Sequence, residues 1–422
     1  MNGKYRISMI AAVALGLLAA GCSSENVVDP GLVDDIDIAE GGDKIDNTRY
    51  DLVLTDGEAD VVSAYNRRSV AFLDKLAVDE AENVYTSGLS LNMLLSMFAN
   101  GVAGEARAEL LDYLGANSLS ELNGLNSKLM SELVKMDRES ALYIANSLWA
   151  SHGFTFSSSY RELMEESYSG TFYTDIPLST RQGKDAVNQW CSDKTEGLIP
   201  EFLDQPVESS YFSVNALYFK GKWSKEFDKS LTSPGRFTTA DGTVVSADFM
   251  EAVMDVKTCE KDGTLILEIP FGNGAFEFDV MMPAVGQTIK GLLADTQNLS
   301  MLDNVPVDRV RVRLPRLKIE SKYDNLVEVI REMGVTKLFS EADFSGMTSA
   351  DIKKVDVIKQ KNVFEIDEEG AEGATVTGGG MTSAVGPGAV TVQTVSVERQ
   401  FMFIVRETST GLYVSLGAVN KI

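Results

Sequence analysis

Catalysis needs nucleophiles, bases or metal ligands at workable spacing, and this chain is poor in all three. Its one histidine, His152, lies in Ser151-His152-Gly153, which reads as a surface turn. A Ser–His–acid hydrolase would have to use that imidazole, and no Gly-x-Ser-x-Gly accompanies it. The three cysteines, Cys22, Cys191 and Cys259, are isolated, so an ordinary zinc site is excluded. Cys191 and Cys259 could pair in an exported chain, but no framework demands it; buried free thiols are the expectation. Gly378-Gly379-Gly380 is no phosphate loop, since no Gly-Lys-Ser/Thr follows and no helix opens there. Acidic pairs are abundant but have no positioned partner. The chain is therefore expected to have no metal, no cofactor and no enzymatic activity of its own.

The chemistry on offer is mechanical. Glu368-Glu369-Gly370-Ala371-Glu372-Gly373-Ala374-Thr375-Val376-Thr377 follows the apolar, β-leaning run Val363-Phe364-Glu365-Ile366 and leads into a stretch, 378–390, with almost no bulky side chains. Read as a strand, one face carries Ala371, Gly373, Thr375, Thr377, Gly379 and Met381. Only Met381 is large, so that face could slide between two strands of an existing sheet. Charged or large residues there would bring unpaired charge or steric cost.

Elements able to receive such a strand are legible. Helical spacing of Val62, Tyr65, Ser69, Phe72, Leu73 and Leu76 predicts a helix over 61–76. Residues 91–114 read as two helices broken at Gly101-Val102-Ala103-Gly104, and 185–195 as a helix with Val187, Trp190 and Cys191 facing inward. Strands are expected at 265–269, 276–282, 310–314, 401–405 and 412–416. Helices dominate the first half and strands the second, which points to an α+β fold with large, mostly antiparallel sheets.

The N-terminus is read as a targeting segment: Lys4 and Arg6, an apolar run over 7–20, then Leu18-Ala19-Ala20-Gly21-Cys22, which resembles a bacterial lipobox. The run is short for a bilayer span. The expected organisation is a lipoprotein signal peptide (1–21), an acylated Cys22 with a flexible acidic linker (22–47), and one domain (48–422). The expected location is the bacterial cell envelope, as an outer-membrane lipoprotein facing the periplasm or the exterior. With a formal net charge of −24 over 422 residues, neither nucleic acid nor heparin is an expected partner. The 44% apolar content supplies an ordinary core.

Several ordered motifs then resemble the serpin family over essentially everything after the linker. Asn83-Val84-Tyr85-Thr86-Ser87-Gly88-Leu89-Ser90 looks like its Asn-x-x-x-Ser-Pro-x-Ser segment, with Gly88 for the proline. Gly101-Val102-Ala103-Gly104-Glu105-Ala106-Arg107, Val187-Asn188-Gln189-Trp190 with 194–199, Leu314-Pro315-Arg316-Leu317-Lys318-Ile319-Glu320 and Ala342-Asp343-Phe344-Ser345-Gly346-Met347 follow. Val214-Asn215-Ala216-Leu217-Tyr218-Phe219-Lys220-Gly221-Lys222-Trp223 is the most specific. Phe401-Met402-Phe403-Ile404 and Gly417 resemble the C-terminal strands.

The resemblance implies the serpin fold, with helices packed on large sheets and an exposed reactive loop at about 368–398. Its hinge would be Glu368, Glu369, Gly370, Ala371, Glu372, Gly373, Ala374 and Thr375. Ser87, Ser90 and Asn215 would lie where the central sheet parts, with Gln360 where the family often has a histidine; Trp223 would sit near the top of the sheet where insertion begins. The implied function is inhibition of serine proteases, with cysteine proteases a further class, by a monomer that acts as a suicide substrate. The alternative is a non-inhibitory serpin, a surface binding protein or decoy substrate.

From Ala371 to Glu398 there is no Lys, Arg, Phe, Tyr, Trp, Leu or Ile, which suits the small pockets of elastase-like or subtilisin-like proteases. Counting forward from the hinge puts the scissile bond at Ala384-Val385; counting back from Phe401 puts it at Ala389-Val390. The first is preferred, because insertion length is set from the hinge side. Gly386-Pro387-Gly388 is then extra loop.

Overall fold

The computed structural model describes residues 47–77, 81–294, 305–371 and 392–422, all within the unit Ile45–Ile422. The helices are α1 (Asp56–Leu76), α2 (Gly88–Gly101), α3 (Gly104–Leu114), α4 (Leu119–Glu132), α5 (Ser158–Tyr168), α6 (Arg181–Lys194), α7 (Ile289–Ala294) and α8 (Val327–Glu332). The strands are β1 (Val84–Thr86), β2 (Ser140–Ala150), β3 (Gly170–Tyr173), β4 (Tyr211–Lys222), β5 (Ser233–Thr238), β6 (Val244–Lys261), β7 (Thr264–Phe271) and β8 (Phe276–Met282). After them come β9 (Val307–Pro315), β10 (Leu317–Tyr323), β11 (Gln360–Ile366), β12 (Gly370–Ala371), β13 (Thr394–Ser396), β14 (Phe401–Glu407) and β15 (Tyr413–Val419).

Local chemistry explains the boundaries. α1 begins five residues before the apolar spacing does, because Thr55 and Glu58 form a reciprocal cap: Thr55 N donates to Glu58 Oε2 at 2.8 Å and Glu58 N to Thr55 Oγ1 at 3.3 Å. α2 is buried along its whole length and packs against both β4 and β15, so its sequence is apolar nearly all round. The break before α3 falls where expected. Val102 and Ala103 are extended, Ala103 N donates to Asp343 O at 2.7 Å, and Gly104 turns the chain at φ +60°.

Two sheets organise the rest. Nine strands make one sheet in the order β1-β15-β14-β8-β7-β6-β9-β13, with β5 also paired to β6; β13 is parallel to β9 and the other pairs are antiparallel. β8 and β15 are buried at every residue, as strands covered on both faces are. The other sheet has the order β10-β11-β12-β4-β2-β3, with β2 and β3 parallel. β4 alternates: Phe212, Val214 and Ala216 pack with Trp190 and Cys191 of α6, while Tyr211, Leu217 and Phe219 face the main core around α2. The expected α+β fold with large, mostly antiparallel sheets is thus the observed one. Among the described residues no helix is long and apolar enough to cross a membrane.

Candidate functional site: a hinge held between two strands

At the end of β11 the chain reverses over three residues and returns as β12. Asp367 makes the turn: its N donates to Gly370 O at 2.9 Å, and its Oδ1 accepts from the backbone N of Glu369 at 2.9 Å and of Gly370 at 3.3 Å. β12 then enters the sheet, with Ala371 opposite Ile366 of β11 on one side and Gly221 of β4 on the other. Strands spaced at ~4.8 Å put β4 and β11 about 10 Å apart at this level. Away from β12, β4 and β11 share no ladder among the described residues. Small cavities lie along the seam between them. One is bordered by Ser90, Asn215, Gln360 and Asn362, another by Tyr85, Ser87, Phe219 and Val363.

Glycine is required where the hinge enters. A Cβ on Gly370 would lie 1.9 Å from Gly221 O, and the obstruction is backbone, which cannot swing away. Gly221 is small for a matching reason, since a Cβ there would meet the Phe271 ring at 2.8 Å.

The two hinge glutamates are clamped. Glu368 is buried and accepts from Arg316 Nε at 2.9 Å, from an Arg316 terminal nitrogen at 2.7 Å and from the Thr232 hydroxyl. Burial alone would raise its pKa, but the Thr232 and Arg316 bonds outweigh that and hold its carboxyl below the usual range. Glu369 pairs with Lys229. Trp223 stands over the turn, donating from Nε1 to Asp367 O at 2.8 Å and from its backbone N to Glu369 O at 2.9 Å. Its ring stacks on Phe271 at 4.6 Å.

At the other end of the seam the polar residues singled out from the sequence meet. Ser87 caps α2, accepting from Ser90 N at 3.1 Å and donating to Val414 O at 2.8 Å. The Ser90 hydroxyl donates to Asn215 Oδ1. Asn215 Nδ2 donates to Asn146 Oδ1 at 2.7 Å, and Asn146 Nδ2 to Tyr168 O at 2.7 Å. Gln360 donates from Nε2 to Ser87 O at 3.0 Å and accepts from Thr86 Oγ1 at 2.6 Å and Asn362 Nδ2 at 3.0 Å. Glutamine thus fills this position by giving and taking hydrogen bonds at neutral charge. Trp223 does not join this group: it lies eight residues beyond Asn215, just past the end of β4, roughly 26 Å at strand rise.

Sequence reasoning missed Asn146, Thr86 and Asn362 here, and Thr232, Lys229 and Asp367 at the hinge. Arg316 stood within a quoted motif, but its spacing of 52 residues from Glu368 carries no local signal. His152 is exposed and faces Asp175 Oδ1 at 3.1 Å, as its turn context implied. Cys191 is a buried free thiol that burial pushes up to about 12; Cys259 is also free but only half-buried, short of the burial expected of it. Cys22, Glu372, Gly373, Ala374, Thr375 and both candidate scissile bonds, Ala384-Val385 and Ala389-Val390, lie outside the described residues.

A sheet that holds so short a strand between two strands with no ladder to each other among the described residues defines a class, and the comparisons agree with it. The chain belongs to the serpin family: the model described as Serpin (serine protease inhibitor) matches residues 63–422. It is 29% identical to Serpin-ZX of Arabidopsis thaliana over 374 residues, covering 81% of this chain and 93% of that one. Among solved structures it resembles the thermophilic serpin tengpin in its native state, with a TM-score of 0.78, 23% identity, and 92% of this chain and 98% of that one covered. It also resembles human thyroxine-binding globulin complexed with its ligand, with a TM-score of 0.75, 21% identity and coverage of 86% and 99%.

Proposed function

We propose that this serpin is a suicide-substrate inhibitor of serine proteases with small specificity pockets, elastase-like or subtilisin-like. The observation that carries the reading is β12. Just beyond the hinge turn, Gly370 and Ala371 pair with β4 and Ala371 also pairs with β11, two strands that share no ladder with each other among the described residues. Continuing that antiparallel register would set Gly373 between Phe219 and Phe364, Thr375 between Leu217 and Asn362, and Thr377 between Asn215 and Gln360. The inward face of β4 at these levels is the core face, so the entering side chains must be small. Thr377 would bring a hydroxyl to the Ser90–Asn215–Gln360 group, where donors and acceptors are already gathered.

The mechanism follows. The protease serine attacks the carbonyl carbon of Ala384, the bond to Val385 breaks, and the Val385 amine leaves with a proton while Ala384 remains esterified to the enzyme. Cleavage frees residues 372–384 from their C-terminal tether. They zip into the seam from Ala371 downward and carry the acylated protease with them. Distortion of the protease removes the donors that stabilise its oxyanion, and deacylation stalls. The driving force is the new ladder on both sides of the inserted strand, withheld beforehand by a kinetic barrier.

Cys22 and its acidic linker would tether this monomer to the bacterial envelope, and serine proteases, with cysteine proteases a further class, would be its partners. Incubation with an elastase should give a covalent complex that survives SDS. Cleaved inhibitor with fully active elastase, across a panel that includes a subtilisin, would overturn the reading.

One feature favours a second reading. Gly378-Gly379-Gly380 is poor strand material, and slow insertion would let hydrolysis win. The protein would then be a decoy substrate or a surface binding protein, and the same fold is found in thyroxine-binding globulin.

A further inference from the structure

A cluster of buried charge lies in the nine-stranded sheet, away from the hinge. Lys257 of β6, Glu268 of β7, Glu277 and Asp279 of β8 and Arg406 of β14 share one face of four neighbouring strands, since Lys257 is opposite Glu268, Glu268 opposite Asp279, and Glu277 opposite Arg406. All three acids are buried. Arg406 reaches Glu268 at 2.9 Å, Glu277 at 3.1 Å and Asp279 through Nε; Lys257 reaches Glu277 at 2.9 Å and Glu268 at 3.2 Å. Oxygens of the three acids lie within 4.8 Å of one another. Three carboxylates therefore share two cations, and one oxygen, Glu268 Oε1, is buried with no hydrogen-bond partner. Fully ionised, the cluster would carry an uncompensated negative charge in the core, a costly arrangement. One retained proton makes it neutral and gives the orphaned oxygen a place to hold it.

We propose that this cluster keeps one shared proton near neutral pH, lodged on the Glu268–Asp279 pair, and that losing it loosens the nine-stranded sheet, so that the fold is tightest on the acid side of neutrality. Burial is the leading cause in both groups. It pushes Glu268 up to about 7, with the Asp279 charge adding to it, and Asp279 up to about 6, against the pull of Arg406. The proton belongs to the pair rather than to either residue. The other groups facing the pair are Lys257 and the half-buried Cys259 of β6, Glu277 of β8 and Arg406 of β14. Burial raises the Cys259 thiol, so it stays neutral across the window, and both cations stay charged because their carboxylate partners outweigh burial. The unfolded acids would titrate near pH 4. Between about pH 4 and about pH 7 the folded state therefore binds more protons than the unfolded one. Stability conferred by this cluster falls as pH rises through that window and levels off above it.

The test compares melting of the full chain at about pH 5.5 and about pH 8. The parent should melt several degrees lower at the higher pH. Glu268→Gln, which makes the cluster neutral permanently, should show a flatter profile and melt above the parent at the higher pH. Comparing slopes removes every titration common to both proteins. Parallel slopes, or a parent that melts no lower at the higher pH, overturn the proposal. An infrared difference spectrum of the parent between the same two pH values reads the proton directly and does not depend on the variant folding. A buried carboxylic-acid carbonyl band should be present on the acid side and lost on the alkaline side, and its absence equally overturns the proposal.

Discussion

Gly370 is held more tightly by geometry than any other hinge residue described. The missing Cβ lets its backbone lie against Gly221 O, and β12 exists because of that approach. Gly370→Val should displace β12 from between β4 and β11 at a cost of ~1–3 kcal/mol, the range for overpacking a fitted site. Insertion would lose its starting pair. Covalent complex with elastase should fall and the cleaved product rise, read from the ratio of the two bands on a gel; an unchanged ratio would count against β12 as the starting point. Thr375→Arg tests the same strand further down. Its guanidinium would be buried between Leu217 and Asn362 without a partner, so the variant should still be cut but should release active protease. Glu372→Arg, on the opposite face, should inhibit nearly as well as the parent. Equal inhibition by parent and Thr375→Arg would mean that this segment does not enter the sheet. At the far end of the seam, Gln360→Ala would strand the Thr86 hydroxyl and the Asn362 amide, while Ser87 O would keep its bond from Leu91 N. The closed sheet should lose ~1–3 kcal/mol, seen as a lower midpoint in denaturant; no change would show that these groups find other partners.

The elements at the seam explain how so small a set of residues could control the large movement proposed. β4 and β11 each have a settled partner on their outer side, β2 and β10, and among the described residues their inner edges are bridged only by β12. An added strand therefore gains two ladders at once without breaking one. How far it runs fixes where the protease ends up, which makes the cut site a question about element length. Insertion to the level of Tyr211, the first residue of β4, uses 371–381 in the register set by Ala371 and Gly221. That leaves a short tether to Ala384 and a longer one to Ala389. Elastase should therefore cleave at Ala384-Val385. Mass spectrometry of the released C-terminal peptide settles the position, and a dominant cut outside Met381 to Val390 would reject both counts.

For the whole molecule the consequence is a change of stability without a change of composition. Cleavage of the loop should raise the melting temperature sharply, because the freed strand completes the six-stranded sheet; cleaved and intact protein melting together would indicate the binding or decoy function instead. The buried clusters at the two sites act in opposite senses. At the hinge, Glu368 is satisfied by Arg316 and Thr232 and favours the folded state when ionised, so its contribution declines as pH falls from the unfolded carboxyl range through its lowered pKa. The cluster at Arg406 favours the folded state when it carries a proton. Together they place the best-supported fold in mildly acidic conditions.

Much of this was legible along the chain. Helices were visible from apolar spacing, as in 61–76, and β7, β8, β9, β14 and β15 of the nine-stranded sheet from β-branched and aromatic runs, whereas β1, β5, β6 and β13 were not expected. The lack of bulk after Gly370 carries the expectation that this segment enters the sheet, and the described residues reach only its first step, Ala371 in β12. These are local properties: backbone preference and side-chain size act over a few residues, and sequence displays them directly. What only the tertiary structure decided were the partners. Arg316 lies 52 residues from Glu368 and Thr232 lies 136 from it, and Asn146 meets Asn215 across 69. The same holds for the sharing of two cations by Glu268, Glu277 and Asp279, drawn from separate strands. Such pairs depend on which strands become neighbours and in what register, and an isolated segment has no means of specifying either.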